Sequence, residues 1–252
     1  MNLFFRKLGK GQPMVILHGL FGSSDNWYSL SKLFAEKYEV YTVDQRNHGQ
    51  SPHIDEFNYK ILAADLEGFL QQQGLTDPVV IGHSMGGKTA MNLAIKNPAI
   101  ISKLIVVDIA PRVYPIHHDH ILDGLTAIPL ESIQSRNEAE AILAEYVDEA
   151  DVRQFLLKNL SRNSEGKFVW KINLRAIEKH IEEIGAGMQF DGVYTKPTLF
   201  IKGARSNYFK PGDDDSIRGY FPEAKIVTVN TGHWVQAEDP KAFMDAVNNF
   251  LN

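Results

Sequence analysis

The chain has 252 residues, 44% of them apolar and 23% charged, which suits one α/β domain of ordinary size carrying an insertion. Its net charge of −5 speaks against a nucleic-acid surface and against attraction to acidic membranes. The absence of cysteine excludes disulfides, thiolate metal sites and a cysteine nucleophile.

The N-terminal segment offers only Leu3-Phe4-Phe5 as an apolar run, too short for a signal-peptide core or a membrane span. The expectation is a soluble, cytoplasmic protein. Met14-Val15-Ile16-Leu17 reads as a buried strand, ending in His18-Gly19-Leu20-Phe21-Gly22-Ser23-Ser24. Residues 24–38 read as a helix with Trp27, Leu30, Leu33 and Phe34 on one face. The next strand is Val40-Tyr41-Thr42-Val43, followed by the polar turn Asp44-Gln45-Arg46-Asn47-His48-Gly49-Gln50-Ser51. Tyr59, Leu62, Leu66, Phe69 and Leu70 recur at helical spacing, with Gly74 as the stop.

Val79-Val80-Ile81 then runs into Gly82-His83-Ser84-Met85-Gly86-Gly87, and a helix-period segment follows through Met91, Leu93, Ala94 and Ile95. A further strand covers 103–108. From Pro111 to about Phe190 there are helix-period segments, such as 139–146 and 152–160, and a short extended piece at 168–172, but no convincing core strand. The sheet resumes at 197–201 and again at 225–229. After Thr231-Gly232-His233-Trp234 the last helix opens at Asp239-Pro240, with Phe243, Val247 and Phe250 as its buried stripe.

Strands alternating with helical patterns imply a mostly parallel sheet covered by helices on both faces. Residues 1–110 and 191–252 would form this core. Residues 111–190 would form a helical cap, or lid, inserted after the strand that ends at Asp108. In such sheets ligands bind outside the carboxyl ends of the strands, where His18, Ser84 and Asp108 lie.

Two motifs compete for the stretch at 82–89. Gly-x-Ser-x-Gly between a strand and a helix is the nucleophile elbow: the turn exposes Ser84, and the helix N-terminus behind it offers free N–H groups to an oxyanion. Gly82-His83-Ser84-Met85-Gly86-Gly87-Lys88-Thr89 also satisfies the phosphate-binding loop pattern, with Asp108 imitating its magnesium-holding Asp. That second reading leaves His18-Gly19 and Gly232-His233-Trp234 without a role, and it places the loop after two strand–helix units. A metal site at His117-His118-Asp119-His120 lacks both helical spacing and a complete ligand set. No metal and no cofactor are expected, although His118 or Arg112 could line the entrance to the site.

His18-Gly19, the 82–87 elbow and Gly232-His233-Trp234 occur in the order found in α/β-hydrolases, which the whole chain resembles. Within that superfamily, His18-Gly19-Leu20-Phe21-Gly22-Ser23, Asp44-x-Arg46-Asn47-His48-Gly49-x-Ser51, Gly82-His83-Ser84-Met85-Gly86-Gly87-Lys88 and Val107-Asp108-Ile109-Ala110-Pro111 resemble the bacterial YbfF-type esterases. The resemblance implies a Ser–His–acid hydrolase of carboxylic esters or acyl thioesters, with an acyl-enzyme on Ser84 and His233 as the base. C–C bond hydrolysis or a lyase step on the same fold is the alternative, and a nucleotide-binding or turnover-free binding protein is more distant.

The oxyanion donors by position are the backbone N–H groups of Leu20 and Met85, with Phe21 able to replace Leu20. Many members of the superfamily carry the triad acid in a Gly-x-x-Asp turn after the strand here at 198–201. This chain has Gly203-Ala204-Arg205-Ser206 there. Asp108 is the expected acid, because its strand should neighbour that of Ser84; Asp213, Asp214 and Asp215 are the alternatives and read as the solvated start of a helix. Phe21, Phe155, Leu156, Trp170 and Trp234 are expected to contact the substrate, a small acyl ester or thioester. No nucleic-acid or membrane partner is expected, and the oligomeric state stays open.

Overall fold

The computed structural model describes residues 1–115 and 119–252. Among them nine strands form two sheets: β1 (Phe5–Leu8), β2 (Gln12–Leu17), β3 (Tyr38–Val43), β4 (Val79–His83), β5 (Lys103–Val107), β6 (Leu160–Arg162), β7 (Phe168–Trp170), β8 (Thr198–Gly203) and β9 (Ala224–Val229). The large sheet has the order β1-β3-β2-β4-β5-β8-β9. Only β1 runs antiparallel, against β3; the other pairings are parallel.

The alternation of side chains along each strand sorts the core into two layers. Val15, Leu17, Val80, Leu104 and Val106 point to one face. There they meet Leu66 and Phe69 of α2 (Tyr59–Gln72) and Met91 and Ala94 of α3 (Met85–Lys96). Met14, Ile16, Val79, Ile81, Ile105 and Val107 point the other way. They pack on Leu30 and Phe34 of α1 (Tyr28–Phe34) and on Phe243 and Val247 at the C-terminus. Both faces of β4 and β5 are therefore dry, as their continuous apolar runs require.

Among the described residues five helices separate β5 from β8: α4 (Asp119–Ala127), α5 (Arg136–Leu143), α6 (Ala150–Leu157), α7 (Leu174–Lys179) and α8 (Ile181–Gly185). They build a third apolar cluster, including Leu122, Leu125, Leu143 and Leu157. From the sheet layer it takes in Phe21, Phe57, Tyr59, Leu62 and Met85. The inserted segment thus rests on the loops at the carboxyl ends of β2, β3 and β4. The chain closes with α9 (Asp213–Tyr220), α10 (Val235–Glu238) and α11 (Pro240–Leu251). Asp239 caps α11 by accepting the Ala242 N–H at 2.9 Å, ahead of the first-turn proline. Among the described residues no helix is long and apolar enough to cross a membrane.

Several elements differ from the sequence expectation. The helix expected at 24–38 is a 3-10 turn, Ser24–Trp27, followed by the shorter α1, and Tyr38 already opens β3. The 3-10 start follows from Asn26 accepting the Ser23 N–H at 2.7 Å, which tightens the first turn. β1 gave no apolar run because it is an edge strand with partly exposed positions. The extended piece at 168–172 is β7, paired antiparallel with β6 in a two-stranded ribbon within the insertion, apart from the main sheet. Of the histidine cluster at 117–120, His117 and His118 lie outside the described residues.

Candidate active site

Ser84 stands between the end of β4 at His83 and the first residue of α3, with φ +51° and ψ −117°. This is a costly conformation for a residue with a side chain, and the surroundings impose it. The Ser84 N–H donates to Val107 O at 2.9 Å, which ties the turn to β5. A Cβ at Gly82 would lie 2.3 Å from Gly86 O, so only glycine lets strand and helix approach this closely.

Asp108 follows β5, next to β4 in the sheet, and its own φ is +50°. Its carboxylate is fully buried. Oδ2 accepts the Nδ1–H of His233 at 2.7 Å and the Ser206 hydroxyl, and Oδ1 accepts the Gly203 N–H at 2.8 Å. The Gly203–Ser206 turn, which carries Ser206 in place of the expected aspartate, therefore supplies a hydroxyl to the carboxylate that follows the neighbouring strand. Asp213 is not solvated, contrary to expectation. It is buried and holds the Arg112 guanidinium at 3.1 Å and the Lys210 N–H at 2.7 Å, so its charge is already committed.

His233 is held on three sides. Asp108 fixes Nδ1, Tyr208 stacks on the ring at 3.8 Å between centroids and 14° between planes, and His83 Nε2 donates to the His233 carbonyl at 2.9 Å. Burial pushes the His83 ionisation well below the usual imidazole range, so this ring works as a neutral donor.

The loop after β2 is oriented by two more buried histidines. His18 Nδ1 donates to Gly19 O at 2.8 Å while its Nε2 accepts the Gln45 N–H at 2.9 Å. His48 Nδ1 donates to Arg46 O at 2.9 Å while its Nε2 accepts the Phe21 N–H at 3.1 Å. Desolvation lowers His18 to about 4 and His48 to about 3. Holding Gly19 O turns the other end of that peptide, the Leu20 N–H, the opposite way. The Phe21 N–H is committed to His48 and is not available to an oxyanion. The Met85 N–H, first in its helix, has no intrahelical acceptor.

A cavity of about 310 Å³ opens at these groups. Leu20, Phe21, Ser84, Met85, Phe155, Leu156, His233 and Trp234 all line it, and Asp108 sits behind His233. Phe155 and Trp234 pack against each other on its wall, with 5.2 Å between ring centroids. Trp170 is not in the lining. It lies at the end of β7, paired with Leu160, and packs against the apolar interior of the insertion. Sequence reasoning missed Tyr59, Ile109 and Tyr208 of the core and Ile121, Val152, Ile181 and Ile184 of the insertion, which meet on the cavity wall only once the chain has folded. Lys88 does not lie along a phosphate-binding loop. It leaves α3 toward the insertion and donates to Ala186 O.

A family model described as the alpha/beta hydrolase fold matches residues 12–240. The chain is 44% identical to the sn-1-specific diacylglycerol lipase ABHD11 of Mus musculus, over 94% of this chain and 80% of that protein. It is 36% identical to the esterase YbfF of Escherichia coli, over 95% of this chain and 93% of that protein. A solved structure described as a marine microorganism esterase superposes with a TM-score of 0.96, at 43% identity and 98% coverage of both chains.

Proposed function

The chain belongs to the α/β-hydrolase fold family, and from that premise we propose that it hydrolyses carboxylic esters through an acyl-enzyme on Ser84. The observation that carries the reading is the 2.7 Å contact between His233 Nδ1 and Asp108 Oδ2, beside a strained Ser84 on the same cavity. With Nδ1–H donated to Asp108, the imidazole presents Nε2 as a base. It removes the Ser84 proton as Oγ attacks the ester carbonyl. The Leu20 and Met85 N–H groups stabilise the oxyanion. His233 returns the proton to the departing alcohol, and water then repeats the sequence on the acyl-enzyme.

The segment at 111–190 acts as a cap in this reading, its α6 and α8 closing the cavity over the acyl group. The relatives' names point to esters, acylglycerols among them, as the substrate class. The His–Asp geometry alone serves an acyl thioester equally well, so esters and thioesters are to be assayed side by side over acyl length. The decisive experiment is Ser84→Ala, expected to abolish both ester hydrolysis and labelling by a fluorophosphonate. Retained turnover in a folded Ser84→Ala protein would remove the acyl-enzyme from the reading.

A further inference from the structure

Lys88 is the single lysine or arginine among the described residues of the cavity wall, and no aspartate or glutamate lines the wall with it. The residue is 1% exposed. The ammonium donates to Ala186 O and, at 3.4 Å, to Gly185 O, and it lies over the rings of Tyr114 at 4.7 Å and Tyr59 at 5.3 Å. None of its partners carries a formal negative charge. Desolvation, with a smaller push from the Arg112 charge, lowers its ionisation to about 7. Lysine is almost never fully buried without a counter-ion. Lys88 lines the cavity, and the reacting serine is one helical turn away, its carbonyl accepting the Lys88 N–H at 3.0 Å.

Resting on the reading of Ser84 as the nucleophile, we propose that Lys88 is a specificity-determining residue whose ammonium receives a carboxylate on the acyl part of the substrate. The preferred esters are then half-esters of short dicarboxylic acids. The acyl side is chosen because the Lys88 ammonium is held by Gly185 O and Ala186 O at the end of α8, the helix that in the proposed reading closes over the acyl group. Two carbonyls leave one of the three ammonium protons for the substrate. A carboxylate there restores the fully charged lysine, which the empty wall disfavours.

The test compares monoethyl glutarate, ethyl glutaramate and ethyl pentanoate, matched in length and differing in the terminal group, with released acid or ethanol as readout. Wild-type kcat/KM should favour the carboxylate over the amide by about tenfold or more, and Lys88→Met should bring that ratio near one. An absent preference in wild type, a preference that survives Lys88→Met, or an equal loss on all three esters would overturn the proposal; the last result would leave Lys88 as a strap to Ala186. Should Lys88→Met fail to fold, inhibition of wild-type ethyl pentanoate hydrolysis decides. Glutaramate, whose amide replaces the ester and whose carboxylate would reach Lys88, should act at concentrations about tenfold below the neutral pentanamide and glutaramide, and equal potency overturns the assignment. Failure of the underlying reading shows separately, as hydrolysis of ethyl pentanoate by Ser84→Ala.

Discussion

His48 Nε2 accepts the N–H of Phe21 at 3.1 Å, and Phe21 in turn offers its carbonyl to Asn159 Nδ2 at 2.8 Å. Phe21 has φ +59°, so this strained residue is held from one side by the turn after β3 and from the other by the insertion. The Leu20 peptide that would meet an oxyanion is its immediate neighbour. The turn is itself anchored: Arg46 pairs with Asp65 of α2 through two contacts, and Asn47 bonds Asn173 of the insertion through both backbone and side chain. The polar segment from Asp44 to Ser51 is thus the scaffold of the loop that carries Leu20 and Phe21.

His48→Ala should therefore lower kcat on a short-chain ester, with a smaller change in KM. The loss should stay below the factor of about 10²–10³ that follows removal of an oxyanion donor, because the loop is loosened and not deleted. Steady-state kinetics on the folded variant read both parameters. A KM effect with unchanged kcat would assign His48 to the shape of the cavity.

The same histidines set an acid limit on stability. In the unfolded chain His18 and His48 take up a proton near pH 6.5. In the fold they resist protonation down to about 4 and about 3, because burial opposes the charge and Nε2 of each already faces a backbone donor. Below pH 6.5 the unfolded state binds more protons than the native one, so stability falls as pH drops from 6.5 toward 4. Each buried histidine should contribute about 1.4 kcal/mol per pH unit across its own window. Melting temperatures should decline through this range. The decline should be shallower in His48→Asn, measured against its own value at pH 7.

Asp108→Asn keeps the shape of the side chain and removes its charge. It should lower kcat by a factor on the order of 10²–10⁴ with little change in KM. Asp214→Asn and Asp215→Asn should stay near wild type. Asp213→Asn should cost stability through Arg112 and leave kcat within a few-fold. A collapse of kcat in any of these three would move the acid away from Asp108.

Ser206 offers a sharper form of that test, since its hydroxyl already reaches Asp108 Oδ2. Ser206→Asp placed in the Asp108→Asn background should recover activity by about tenfold over Asp108→Asn alone, because a carboxylate would again stand within reach of His233 Nδ1. Single-turnover assays of the two variants measure the recovery. No gain would mean that the turn cannot bring a carboxylate to the imidazole.

Each methylene added to the acyl chain should raise kcat/KM about fourfold while the cavity has room, as expected for about 0.8 kcal/mol per buried CH₂. Phe155→Ala should shift the optimum to longer chains by opening the wall it shares with Trp234. Trp170→Ala, altering a residue outside the lining, should leave the length profile in place. A shift in the Trp170 variant matching that of Phe155 would mean the insertion responds as one body.

The sequence by itself determined what depends on neighbours along the chain. The apolar runs at 14–17, 79–81 and 104–107 have to be buried on both faces, which makes strands of a covered parallel sheet. Gly82 and Gly86 around Ser84 mark a turn only such a pair allows, and Asp239-Pro240 is a helix start wherever it sits. Tertiary structure alone decided what depends on segments that meet after folding. Ser206 reaches Asp108 across 98 positions, His83 reaches the His233 carbonyl across 150, and Asn159 reaches Phe21 across 138. No local pattern announces such pairs, because serine, histidine and asparagine are equally at home on a surface. Trp170 shows the converse: its size requires burial, but a two-stranded ribbon has two sides, and only packing within the insertion chose the one away from the cavity.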